Sequence, residues 1–150
     1  MAASRSEFEE SLREHLGNLY TGTVVEHSLH PRNLGSLESP DGYARFTGDC
    51  GDSVELWLNV RDGMVRDIAF TSDGCSATIA AVSMMTELTR GKNLDKARGI
   101  RPQDVLEALG GLPPGNMHCA QLAVDVLRQA ILDHEVMQRD PWKKPYRRYG

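Results

Sequence analysis

Five side chains in this sequence have the types and settings to share one metal-sized point: Cys50, Asp52, Cys75, His118 and Cys119. Cys50 and Asp52 lie in Gly48-Asp49-Cys50-Gly51-Asp52, and Cys75 lies in Asp73-Gly74-Cys75-Ser76-Ala77. His118 and Cys119 follow Leu112-Pro113-Pro114-Gly115-Asn116-Met117. The chain has three cysteines, each in a loop-like, glycine-flanked stretch. Cysteine used as a small hydrophobe falls more often inside an apolar run. Thiolate and imidazole are the ligands of zinc, iron and iron–sulfur clusters. Zinc fingers and ribbons use tight Cys-x-x-Cys pairs, and none occurs here. A site drawn from three distant stretches therefore depends on the folded domain around it. Asp52 adds a carboxylate, a harder ligand than thiolate, and mixed ligation suits a site that releases what it holds.

The residues alone leave several chemistries open. The set fits an iron or cluster site. It also fits a closed tetrahedral zinc site. A thiol enzyme with Cys119 as nucleophile would leave Cys50 and Cys75 dispensable, so the distributed set favours the first two. His118 and Cys119 are neighbours, diverging by about 100° on a regular helix, a poor arrangement for a nucleophile–base pair.

The elements that must position these residues follow from periodicity. Residues 6–20 predict a helix, with Ser6 and Glu9 as a capping box and Phe8, Leu12, Leu16 and Leu19 on one face. Residues 21–40 read as less regular, with His30-Pro31-Arg32-Asn33-Leu34-Gly35 a turn-rich connection. A short strand is expected over 42–47. Val54, Leu56, Leu58 and Val60 alternate with Glu55, Trp57, Asn59 and Arg61, the period of a half-buried strand. Asp62-Gly63 is a two-residue hairpin signal, and 64–71 returns with Ile68 and Phe70 on one face. From Ser76 the period turns helical, over 79–89, 95–98 and 102–109. Cys119, Leu122, Ala123, Val126, Leu127, Ala130 and Ile131 mark a long amphipathic last helix. Cys75 precedes one helix and Cys119 lies in the first turn of another, where free N–H groups and the dipole are expected to lower thiol pKa. The pattern predicts an α+β fold, a small antiparallel three-stranded sheet packed against several helices.

Length and composition bound the rest. A chain of 150 residues predicts a single domain. Net charge is −4; the tail 140–150 carries +3, leaving −7 on the body. An acidic body argues against nucleic acid, which needs a basic face. No apolar run reaches the ~20 residues of a membrane span, and the first residues lack a signal-peptide core. A cytoplasmic location with reduced thiols is expected. His15, His27, His30 and His134 have no cysteine nearby and read as surface or structural, Met84 and Met85 as core, and the tail as a frayed terminus.

These residues and their surroundings resemble the IscU/NifU-type iron–sulfur cluster assembly scaffolds, the NifU N-terminal domain family, from about Tyr20 to Asp133. The stretch 30–35 is similar to that family's Asn-Pro-Arg-Asn-Val-Gly. Cys50-Gly51-Asp52 matches its Cys-Gly-Asp loop. Gly74-Cys75, then Thr86-Glu87 and Gly91-Lys92, match its second cysteine segment, and Leu112-Pro113-Pro114 leading to His118-Cys119 its third. The resemblance implies a SufE/NifU-like fold and a scaffold rather than an enzyme. Cys50, Cys75 and Cys119 would hold a [2Fe-2S] cluster with Asp52 or His118, and Cys119 would accept persulfide sulfur. The implied partners are a cysteine desulfurase, a ferredoxin-type electron donor and apo iron–sulfur acceptor proteins; zinc is an implied occupant of the same ligands. Gly115-Asn116 stands where the family's chaperone-recognition stretch has Val-Lys, which removes the ground for expecting a dedicated Hsp70-type chaperone. His118 and the lack of an insertion before Cys119 depart from the related SufU branch.

Overall fold

The computed structural model describes residues 5–142. The basic tail residues Lys143, Lys144, Arg147 and Arg148 lie outside the described residues. Helices α1 (Arg5–Gly17) and α2 (Gly22–Leu29) precede strands β1 (Gly42–Thr47), β2 (Ser53–Arg61) and β3 (Met64–Ser72). Helices α3 (Ser76–Thr89), α4 (Leu94–Arg98), α5 (Pro102–Leu109) and α6 (His118–Arg139) follow, with a 3-10 turn at Pro114–Asn116. The sheet is antiparallel in the order β1-β2-β3, as the alternation predicts. Asp62 and Gly63 take φ of 54° and 74°, the pair of positive values a tight hairpin of this kind needs.

Val54, Leu56 and Leu58 point from the sheet into a core shared with Ala80, Ala81 and Met85 of α3 and Leu127 and Ile131 of α6. Every apolar position assigned to the last helix is buried. The other sheet face is not wholly open: Trp57 is buried and tilts against Tyr43 at 5.6 Å between ring centroids. α6 also closes the β1 edge. The Tyr43 N–H donates to Asp133 Oδ2 at 2.8 Å, which removes an edge donor from strand-to-strand association. Gly42 lies so close beneath α6 that a Cβ there would stand 2.5 Å from the Ala130 carbonyl oxygen.

Two expectations for the N-terminal part are corrected. α1 ends at Gly17, not Tyr20, and already includes Arg5, so Ser6 lies inside the helix and does not cap it. Of its apolar stripe only Leu16 is buried, while Phe8 and Leu19 are exposed. The stretch read as irregular contains α2. Thr21 caps it, accepting from the Val24 N–H at 3.2 Å and donating to the Leu109 carbonyl at 2.6 Å. Gly22, Thr23, Val24 and Val25 are poor helix formers; burial of Val24, Val25 and His27 against α3 overrides that preference.

The Pro31–Gly35 turn is docked rather than loose. The Arg32 N–H donates to Ser83 Oγ, Asn33 Nδ2 to Thr86 Oγ1, and the Gly35 N–H to the Phe70 carbonyl. Phe70 returns its N–H to the Asn33 carbonyl, so the turn covers the free edge of β3 above α3.

Candidate functional site

The five candidate side chains come from three chain reversals at one end of the sheet. Cys50 sits in the β1–β2 turn, which Gly48 and Asp52 close with an N–H···O bond of 2.9 Å. Gly51 takes φ +88° there, a conformation glycine enters without strain. Asp52 immediately precedes β2, and Cys75 is the N-cap of α3. The β2–β3 register, Val54 opposite Ser72, brings Asp52 beside the Gly74-Cys75 turn. That turn is fixed by the Ser53 N–H donating to Asp73 Oδ1 at 2.8 Å and the Gly74 N–H to Ser72 Oγ at 3.0 Å. His118 and Cys119 open α6 after the 3-10 turn.

Thr78, in the first turn of α3, is the meeting point. Its hydroxyl donates to Asp52 Oδ2 at 2.7 Å, stands 3.3 Å from Cys119 Sγ and lies 3.6 Å from Cys75 Sγ. His118 Nε2 is 3.7 Å from Cys119 Sγ. Cys50 and His118 line one cleft of about 410 Å³, with Phe46 and Leu122 as apolar lining and Asp49 and Asp125 as carboxylates. The sequence-predicted residues are therefore neighbours. They are not a preformed cage: among the described residues, no three His, Cys, Asp or Glu side chains stand close enough together as placed to hold a metal ion. Capture would need the exposed Cys50 and Cys75 side chains to turn inward.

Burial separates the thiols. Cys50 and Cys75 are exposed, whereas Cys119 is fully buried. Burial pushes the Cys119 thiol up to about 11, with the charges of Cys75, Cys50 and Asp52 adding. This corrects the expectation that the α6 N-terminus would favour thiolate at Cys119: burial sets the direction of the shift. In the absence of a cation, Cys119 is a neutral thiol at physiological pH.

Two residues at the site escaped the sequence reading. Tyr20 follows α1 and packs against the core; burial raises its phenol pKa, with smaller raising effects from Cys75 and Cys119. Nothing in its sequence setting marks it. Thr78 carries one signal, its position three residues after Cys75, which puts both on one helix face.

The donor chemistry fits a soft or borderline metal: three thiols, an imidazole and one hard carboxylate. Room is provided at Gly74, where a Cβ would stand 2.8 Å from Thr78 Cβ and 3.0 Å from Asp52 Oδ2.

Comparison with known proteins decides the family. The model described as "NifU-like N terminal domain" matches residues 19–140. The chain belongs to the NifU-like N-terminal domain family. Its relatives include the iron–sulfur cluster assembly scaffold protein IscU 1 of Archaeoglobus fulgidus, 43% identical over 117 residues, covering 77% of this chain and 76% of the relative. The IscU scaffold protein of Escherichia coli K12 is 38% identical over 121 residues, covering 77% of this chain and 94% of its own. Among solved structures, the N-terminal part of a NifU-like protein from Brucella abortus superposes with a TM-score of 0.62 at 23% identity, covering 81% of this chain and 97% of that one. That likeness supports the α+β fold of this NifU-like chain. No helix among its described residues is long and apolar enough to cross a membrane.

Proposed function

We infer that the chain is a scaffold on which a [2Fe-2S] cluster is assembled and from which it is passed on. Iron and sulfide are cargo in this reading, and Cys50, Asp52, Cys75, His118 and Cys119 are the residues that hold them. The observation that carries it is the clustering around Thr78 and the cleft: three thiols, a carboxylate and an imidazole from three separate turns, in a chain whose relatives are named as cluster assembly scaffolds. The open arrangement suits cargo that arrives in pieces and leaves whole; a structural zinc site is closed around its metal.

Sulfur delivery follows from the thiol chemistry. A cysteine desulfurase presents a persulfide. The Cys119 thiolate attacks its outer sulfur, the donor's S–S bond breaks, the donor thiolate leaves, and Cys119 carries the new persulfide. Reducing that outer sulfur to sulfide takes two electrons and a proton, which a ferredoxin-type donor and water supply. Finished cluster goes to apo iron–sulfur proteins. Because Cys119 is a buried neutral thiol without a cation, ferrous iron reaching the neighbouring ligands is what turns it into thiolate. Persulfide on Cys119 should therefore form faster with Fe²⁺ present than without it.

The test is persulfide labelling from a desulfurase with and without ferrous iron. Label is expected in wild type and Cys50→Ser and lost in Cys119→Ser. Label retained on Cys119→Ser would move the acceptor role to an exposed cysteine.

A further inference from the structure

Thr78 belongs to none of the motifs by which the sequence resembles its family, yet it contacts three of the five candidate ligands. Its side chain is fully buried. Its hydroxyl has one proton to give. A carboxylate only accepts, so that proton goes to Asp52 Oδ2 at 2.7 Å. The hydroxyl oxygen then faces Cys119 Sγ at 3.3 Å, within reach of the thiol proton. Asp52 is thereby held by one of its oxygens, and Oδ1 is left for cargo. The glycine at 74 is part of the same fitting, since a Cβ there would meet Thr78 Cγ2 at 2.7 Å.

We propose that Thr78 is a positioning residue of the iron site: its hydroxyl fixes the Asp52 carboxylate against the Cys75 and Cys119 sulfurs, so that the hard ligand is in place when the metal arrives. This rests on the five-residue site described above. Hydrogen-bonded partners of a ligating carboxylate set its orientation, and their removal commonly costs 10–100-fold in metal affinity. A packing role for Thr78 is the competing explanation, and its methyl group serves that role whether or not the hydroxyl is present.

The experiment is anaerobic titration of the metal-free full chain with Co²⁺, followed by thiolate-to-cobalt charge-transfer and d–d bands. Thr78→Val removes the hydroxyl at nearly constant shape. It should weaken cobalt binding by about 10–100-fold, with charge-transfer intensity per bound cobalt unchanged because the thiolates remain. Thr78→Ser restores the hydroxyl and should bind as wild type does. Asp52→Ala should weaken binding, and adding Thr78→Val to it should cost nothing more. Thermal melts check that each variant is folded; should Thr78→Val fail to fold, Thr78→Ala takes its place in the cycle. Wild-type or tighter binding by Thr78→Val, an equal loss in Thr78→Ser, or additive losses in the double variant would each overturn the role of the hydroxyl while leaving the site intact. Wild-type protein that shows no thiolate–cobalt bands would overturn the five-residue site itself and this inference with it.

Discussion

Gly74 and Asp52 stand in near contact across the site: a Cβ added at Gly74 would lie 3.0 Å from Asp52 Oδ2, and closer still to the Thr78 side chain. The glycine is thus needed for space, and no strained backbone angle is involved. Gly74→Ala should push Thr78 and Asp52 apart, weakening metal binding at the site. An overpacked buried contact typically costs about 1–3 kcal/mol, so the variant should remain folded with a lowered melting temperature. Cobalt titration and a thermal melt of the same sample check both halves. Unchanged cobalt affinity would show that the site yields to the extra methyl.

Cys119 should be the slow thiol of the metal-free protein. With its thiol pushed up to about 11 and no surface exposed, the thiolate at pH 8 is rarer than for an ordinary cysteine by on the order of 100-fold. Iodoacetamide with peptide mapping should modify the exposed Cys50 and Cys75 first, and the Cys119 rate should keep climbing towards pH 11. The same shift has a stability sign. A thiol harder to ionise when folded gives stability that is complete below the ordinary thiol value and is lost as pH rises from there towards about 11. Cys119 modified as fast as Cys50 at pH 8 would contradict its burial.

His27 should make the fold sensitive to mild acid. Its Nδ1 pairs with Ser83 Oγ at 2.7 Å between α2 and α3, and Nε2 lies 3.8 Å from Glu87 Oε1. Burial and then Arg32 lower its pKa, against smaller opposing effects of Glu87 and Glu26. The unfolded chain therefore takes up this proton first as pH falls. The stabilisation is complete above about 6.5, the ordinary histidine value, and is lost as pH drops from there towards the lowered folded value. Urea midpoints of wild type and His27→Gln at pH 7.5, 6.5 and 5.5 should show the difference between them shrinking. A constant difference would mean that His27 titrates alike in the folded and unfolded chain, and would contradict its lowered pKa.

Much of this architecture was legible because the relevant patterns are local. The alternation from Val54 to Val60, the Asp62-Gly63 turn and the apolar spacing of Cys119 to Ile131 each appear as the matching element. α2 was hidden because Gly22 to Val25 carry weak helix preference and become helical through burial. The stripe Phe8, Leu12, Leu16, Leu19 misled in the other direction: its period is helical, but no element among the described residues covers Phe8 or Leu19. At the site, the five ligand-type residues could be named from glycine-flanked positions. The Thr78 bridge could not, since it exists only once β2 and α3 place Asp52 and Cys75 side by side. Nor could the raised Cys119 pKa, because helix position is local and solvent exclusion is not.

The most direct measurement is the visible spectrum after anaerobic incubation of zinc-stripped protein with ferrous iron, cysteine and a cysteine desulfurase. A scaffold develops sulfide-to-iron charge-transfer bands, and these disappear in the Cys50→Ser, Cys75→Ser and Cys119→Ser variants. A flat spectrum from wild-type protein would contradict cluster assembly and leave a zinc site built from the same residues.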